Sequence, residues 1–162
     1  MSQLSNNLLI LLNEQYAHEK QNQLIYEQSA SVADFFGLDG TAKFFKDQAV
    51  GEQSHATMVY DFINKRNEKA LIANVECPDV PQEFYQLFTF AMDVELRTTE
   101  KLKAIALAAI QEADLQTFYW IADLIKEQTE EENITRTILD RFATCGMSQE
   151  QIHHYDIWIG SL

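Results

Sequence analysis

The sequence has little of what punctuates a chain. Five glycines and two prolines are spread over 162 residues. That scarcity disfavours a turn-rich β architecture and favours long helices. Cysteine is nearly absent: Cys77 and Cys145 stand alone without CxxC spacing, which argues against a metal–thiolate site and for a reducing, cytoplasmic setting. No apolar run approaches the ~20 residues that span a bilayer. The stretch from Met1 to Asn7 has no basic segment and no signal-peptide pattern. Basic residues are few, 12 against 25 acidic ones, giving a net charge of −13. Such a chain repels nucleic acid and anionic membrane, so neither is expected as a partner, and it attracts cations.

What is present is core-forming. Hydrophobic residues make up 46% of the chain, enough to fill one core, and residues 1–162 read as a single all-α domain. The periodicity predicts four long helices and a short fifth. The first covers 5–36 and stops at Gly37. A tight connection leads to the second, over 41–67. An irregular stretch over 68–80 follows. Pro81 opens the third near its first position, where a missing N–H is harmless, and this helix reaches residue 112. Asp114 caps the fourth, which runs to Cys145 and ends at Gly146. Ser148-Gln149-Glu150-Gln151 is a capping box that starts the fifth, reaching Trp158. Short links after the first and third helices imply two antiparallel hairpins. The link between the second and third spans about 40 Å if extended, enough to cross the bundle lengthwise.

The apolar stripe of each helix, read at alternating spacings of three and four, is interrupted at its middle. The stripes are Leu12, Tyr16, Glu19, Gln23, Tyr26, Ala30, Ala33; then Phe45, Gln48, Glu52, His55, Val59, Phe62; then Phe84, Phe88, Ala91, Glu95, Thr98, Leu102, Ile105, Ala109; then Ile121, Leu124, Gln128, Glu131, Thr135, Ile138, Phe142. Every interruption contains a glutamate, and Glu19, Glu52, Glu95 and Glu131 fall near the four helix midpoints. In an antiparallel bundle of equal helices the midpoints lie at one level, so four carboxylates and the His55 imidazole converge in the core.

A single glutamate on a stripe ordinarily sits at its edge and snorkels to water. Four at one height are different. Burying each ionised carboxylate costs several kcal/mol, and two divalent cations neutralise four of them. Oxygen-rich ligation with one imidazole suits iron or manganese. Structural zinc prefers thiolate and more imidazole, while calcium and magnesium prefer oxygen alone. Tyr26 lies about 10 Å along the stripe from Glu19, close enough to donate an electron or a hydrogen bond.

These residues resemble the ferritin-like di-iron carboxylate proteins, four-helix bundles with one long crossover. Within that family Gln128-x-x-Glu131, in place of a second Glu-x-x-His, resembles the bacterial non-haem ferritins. Leu12-Asn13-Glu14-Gln15, Glu19, Tyr26, Glu52-x-x-His55, Glu95 and Glu127-Gln128-x-Glu130-Glu131 match in order and spacing over nearly the whole chain. The resemblance implies a ferroxidase that oxidises Fe(II) with O₂ or H₂O₂ and stores Fe(III) as mineral inside a hollow 24-subunit shell. It implies that Glu19, Glu52 and His55 hold a first iron, that Glu52 bridges, that Glu95 and Glu131 hold a second, and that Gln128 sits near the second iron or positions O₂. It places Glu127 and Glu130 at a third iron site.

The sequence also departs from the pattern. Gly51 stands where a carboxylate often precedes the second-helix glutamate, leaving the third site incomplete. Phe118-Tyr119-Trp120-Ile121 occupies the stretch where many ferritins place acidic pore residues, and His153 and His154 on the fifth helix are candidates for another channel lining. Gln53 and Glu131 replace the Met and second His of the haem-binding relatives, so no haem is expected. The rival readings are a monomeric di-iron or di-manganese oxidase and a non-catalytic metal-binding helical scaffold.

Overall fold

In the computed structural model, which describes residues 3–72 and 74–162, five helices make up the regular secondary structure of the described residues: α1 (Asn6–Phe35), α2 (Asp39–Lys65), α3 (Phe84–Gln111), α4 (Leu115–Cys145) and α5 (Gln149–Ile159). No strand occurs among the described residues. Among them, no helix is long and apolar enough to cross a membrane.

Local chemistry sets most of the boundaries. The Ser5 hydroxyl accepts the Leu8 amide at 3.1 Å and caps α1. At its other end Gly37 takes φ 71°. The Leu38 amide then reaches back to Ala33 O at 3.0 Å and Gly37 to Asp34 O at 3.1 Å, the paired closure that a left-handed residue permits. Asn67 and Ala113, also at positive φ, close α2 and α3 in the same way. Asp114 accepts the Thr117 amide and starts α4, and both halves of the Ser148–Gln151 capping box form at α5.

Two starts differ from the sequence reading. α2 begins at Asp39 rather than Thr41. Leu38 offers it no side-chain cap; the cap comes instead from α5, where Asp156 accepts the amides of Gly40 and Thr41. α3 begins at Phe84 rather than Pro81. The fixed φ of proline suits extended chain as well as a first helical turn. Here Glu83 is still extended, with Val80 and Phe84 the residues that enter the core. The crossover therefore occupies 66–83 instead of 68–80 and reaches about 60 Å if fully extended.

The core lies in two apolar clusters. One joins Ile25, Phe44, Phe45, Phe84, Phe88, Ile138 and Phe142 with Tyr155 and Ile159 of α5. The other joins Leu4, Leu8, Leu12, Val59, Ile63, Leu102, Ile105, Ile121 and Leu124. α2 and α3 both begin in the first cluster and end in the second, so they run parallel, while α1 and α4 run the other way. Only a connection that crosses the whole bundle, about 40 Å for a helix of this length, allows two successive helices to be parallel. The second cluster is tied at its end by Arg66, buried and bonded to Asp114 at 2.8 Å and Thr117 at 2.8 Å. The apolar opening of α4 packs there: Trp120 stacks on Phe62 with ring centroids 4.0 Å apart.

The α3 and α4 stripes are buried as read, except that Glu131 is half-buried. In α1 the phase differs: Gln15 and Asn22 are buried, and Tyr16 and Gln23 sit at the edge. In α2, Ala49, Ala56 and Ile63 are buried, whereas Gln48, His55 and Phe62 are half-buried.

Candidate metal centre

Between the two apolar clusters lies a belt of buried polar side chains: Gln15, His18, Glu19 and Asn22 from α1, Glu52 from α2, Glu95 and Thr98 from α3, Gln128 from α4. Each sits on an inward stripe because the helix repeat puts it there. Little of their surface meets water, so most of their polar atoms need partners inside.

Glu19, Glu52 and His55 offer ligand atoms that all lie within 4.8 Å of one another. Gln15 Nε2 donates to Glu19 Oε1 at 2.5 Å, and Glu19 Oε2 is buried with no donor to accept from; Glu19 bonds the neighbouring Glu52 carboxylate only by carrying a proton itself. That orphaned oxygen, beside a second carboxylate and an imidazole, fits a divalent cation as the missing partner. Glu52 is approached by Asn22 Nδ2 at Oε1 and by His55 Nδ1 at Oε2, each at 3.4 Å. His55, half-buried, lies 3.3 Å through Nε2 from Glu127 Oε2.

Glu95 is held differently. Tyr26 donates its phenol to one oxygen, and Gln128 Nε2 donates to the other at 2.6 Å and to the Glu95 carbonyl at 3.1 Å. Glu131 lies outside the group of three, yet its charge acts on Tyr26, Glu52 and Glu95. Glu127 and Glu130 are exposed, and of these only Glu127 is bonded to the group. Gly51 is half-buried with open space where a Cβ would stand. His153 and His154 are exposed on α5.

Burial dominates the electrostatics. It raises Glu19 well above the ordinary carboxylate range, with the Glu52 charge adding to the shift. Burial, opposed by the hydrogen bond from Glu19 and reinforced by Glu95 and Glu131, brings Glu52 to about 8. Burial likewise brings Glu95 to about 7 against the hydrogen bonds from Tyr26 and Gln128. Tyr26 is raised, by burial first and Glu95 next, and stays a phenol that donates. Without metal, these groups therefore hold protons near neutrality. A cation that displaces the protons restores ligand charge and removes the carboxylate repulsion.

Sequence reasoning placed Glu19, Glu52, Glu95, Thr98 and Gln128 in this belt and His55 beside it, left Gln15 off the inward stripe, and missed His18 and Asn22. The phase of the α1 stripe, taken from Tyr26 backwards in the other alternation, passes through Gln15 and Asn22. Both are polar, so hydrophobicity gave no signal for that choice.

Residues 10–145 match a family model described as a ferritin-like domain. A bacterial non-heme ferritin of Escherichia coli is 27% identical over 160 residues, spanning 98% of this chain and 97% of its own. One of Staphylococcus epidermidis is 29% identical over 154 residues, spanning 94% and 93%. Among solved structures, an open-pore ferritin of the hyperthermophilic archaeon Archaeoglobus fulgidus shares the fold with a TM-score of 0.94 at 24% identity, over 99% of this chain and 98% of that one.

Proposed function

Because the chain belongs to the ferritin-like family, we propose that it is an iron-storage ferritin with an intra-subunit ferroxidase centre. The observation that carries this reading is the convergence of Glu19, Glu52 and His55 in the polar belt, one buried carboxylate oxygen having no donor to accept from.

Fe(II) is the substrate. Glu19, Glu52 and His55 bind the first ion. Glu52 bridges to a second, taken by Glu95 and Glu131, with Gln128 beside it. Each Fe(II) gives up one electron. The pair reduces O₂ to H₂O₂, or H₂O₂ to two waters, with two protons consumed in either case. Glu52 and Glu95, protonated before the metal arrives, lose those protons when the ions bind, so the two protons consumed in the oxidation come from solvent. Tyr26 holds Glu95 by its phenol and is a candidate electron donor. Glu127, which reaches His55, and Glu130 on the same helix receive Fe(III) on its way to a mineral. The single domain over 1–162 assembles into a hollow 24-subunit shell in the cytoplasm, and its −13 charge concentrates Fe(II).

Stopped-flow absorbance after mixing ion-free protein with aerobic Fe(II) tests the reading. The expected result is rapid oxidation saturating near two irons per subunit, strongly slowed in Glu52→Ala and His55→Ala. If both variants oxidise iron as fast as the parent protein, the centre is wrongly assigned. A Tyr26→Phe variant with unchanged kinetics and no lost radical signal removes the redox role of Tyr26. Gel filtration separates the rivals: a particle of several hundred kilodaltons supports the shell, and a monomer supports a di-iron or di-manganese oxidase. Large particles that bind iron without oxidising it support a scaffold.

A further inference from the structure

Three side chains of the polar belt belong to no ligand set. His18, Asn22 and Thr98 are respectively 9%, 1% and 1% exposed, and they are joined end to end. Thr98 Oγ1 donates to the Val94 carbonyl at 3.0 Å. A carbonyl can only accept, so this bond uses the single hydroxyl proton. The Thr98 oxygen must then accept at its other two contacts, from Asn22 Nδ2 at 3.1 Å and from His18 Nε2 at 2.9 Å. His18 accordingly carries its proton on Nε2. The Asn22 amide is oriented with nitrogen toward Thr98, so that its second N–H faces Glu52 Oε1 at 3.4 Å.

We infer that Asn22, oriented by Thr98 and His18, is a positioning residue for the Glu52 carboxylate. The inference rests on the metal-centre reading above. Glu52 is the ligand expected to face two ions at once, and an unsupported carboxylate rotates about its last bond. With Oε1 tied to a rigid amide on α1, Oε2 stays on the His55 side, 3.4 Å from Nδ1. Partners that orient a ligand in this way govern metal affinity. A merely structural role fits poorly, because apolar side chains fill a bundle interior without any polar group to satisfy. Here three linked polar groups lead to one ligand oxygen.

The test is an oxygen-free titration of ion-free protein with Co(II), read by its visible absorption bands, alongside thermal unfolding. Thr98→Val keeps the branched shape and removes the shared acceptor; Thr98→Ser keeps the hydroxyl; Asn22→Leu removes the amide. The expected result is that Thr98→Val and Asn22→Leu bind Co(II) roughly tenfold to a hundredfold more weakly with shifted bands, while Thr98→Ser binds like the parent. Parent-like affinity and spectra in Thr98→Val overturn the inference, as does equal weakening by Ser and Val, which marks packing instead. Should Asn22→Leu fail to fold, the Val and Ser pair decides alone. A parent protein that binds no Co(II), or binds it equally after Glu52→Ala, removes the metal-centre reading and this inference with it.

Discussion

Tyr26 on α1 donates its phenolic hydrogen to Glu95 on α3, and Gln128 occupies the other Glu95 oxygen at 2.6 Å. Glu95 thus starts with both oxygens engaged, whereas Glu19 keeps one with no donor to accept from, beside Glu52 and His55. The first divalent ion is expected at the Glu19–Glu52–His55 corner and the second at Glu95 and Glu131, after Glu95 exchanges a partner. In a Co(II) titration, His55→Ala should weaken the first event by at least the roughly tenfold that loss of a mere supporting partner costs. Glu131→Ala should weaken only the second. The opposite pattern would reverse the order.

The raised carboxylates make the ion-free protein sensitive to pH. In the unfolded chain Glu52 and Glu95 ionise near the ordinary glutamate value of 4.5; folded, they hold protons to about 8 and about 7. Between those limits the native state binds more protons, so its stability falls as pH rises. The unfolding temperature of ion-free protein should therefore drop from about pH 5 to about pH 8, and Glu95→Gln should flatten the slope. A divalent ion binding near neutral pH should release protons, measurable by calorimetry in buffers of different ionisation enthalpy. A rise in stability across this window would contradict the burial of these groups.

Asp156 of α5 caps α2 through the amides of Thr41 at 2.7 Å and Gly40 at 3.1 Å. Asp156→Ala should cost about 1 kcal/mol, the usual loss for a missing N-cap. Gly40→Ala should cost more, because its Cβ would stand 1.9 Å from the Asp156 carbonyl oxygen, a backbone atom that can yield only if α5 moves. Denaturant unfolding measures both losses, and Trp158 fluorescence reports whether α5 stays docked.

Gly51 sits inside α2, with nothing within 4 Å of the place a Cβ would take. Gly51→Ala should stabilise the ion-free protein by about 0.5–1 kcal/mol through helix propensity alone. Gly51→Glu adds a carboxylate next to Glu52 and should change how fast Fe(III) leaves the centre, read from the decay of absorbance after the oxidation burst. Equal decay in the Ala and Glu variants would show that this position has no part in iron transfer.

Much of the architecture was legible because it depends on local pattern. Ser148 and Gln151 announce a capping box, Gly37 a helix stop, and a long irregular link a crossover. The four glutamates were legible because each falls in the polar interruption at the middle of a stripe whose two ends are largely apolar. The α3 start was not, because Pro81 fits both an extended approach and a first turn, and what selects between them is the burial of Val80 and Phe84.

Residue order alone is enough to set the helices, their succession and the level of Glu19, Glu52 and Glu95 in the bundle, since a period of 3.6 converts spacing into height and face. Which polar residues serve the centre is settled by packing in three dimensions. The choice of Gln15 and Asn22 over Tyr16 and Gln23 is a rotation of α1 by a fraction of a turn, set by its contacts with α2 and α3. Likewise, the cap that Asp156 gives to Thr41 joins residues far apart in the chain, and only the docking of α5 brings them together.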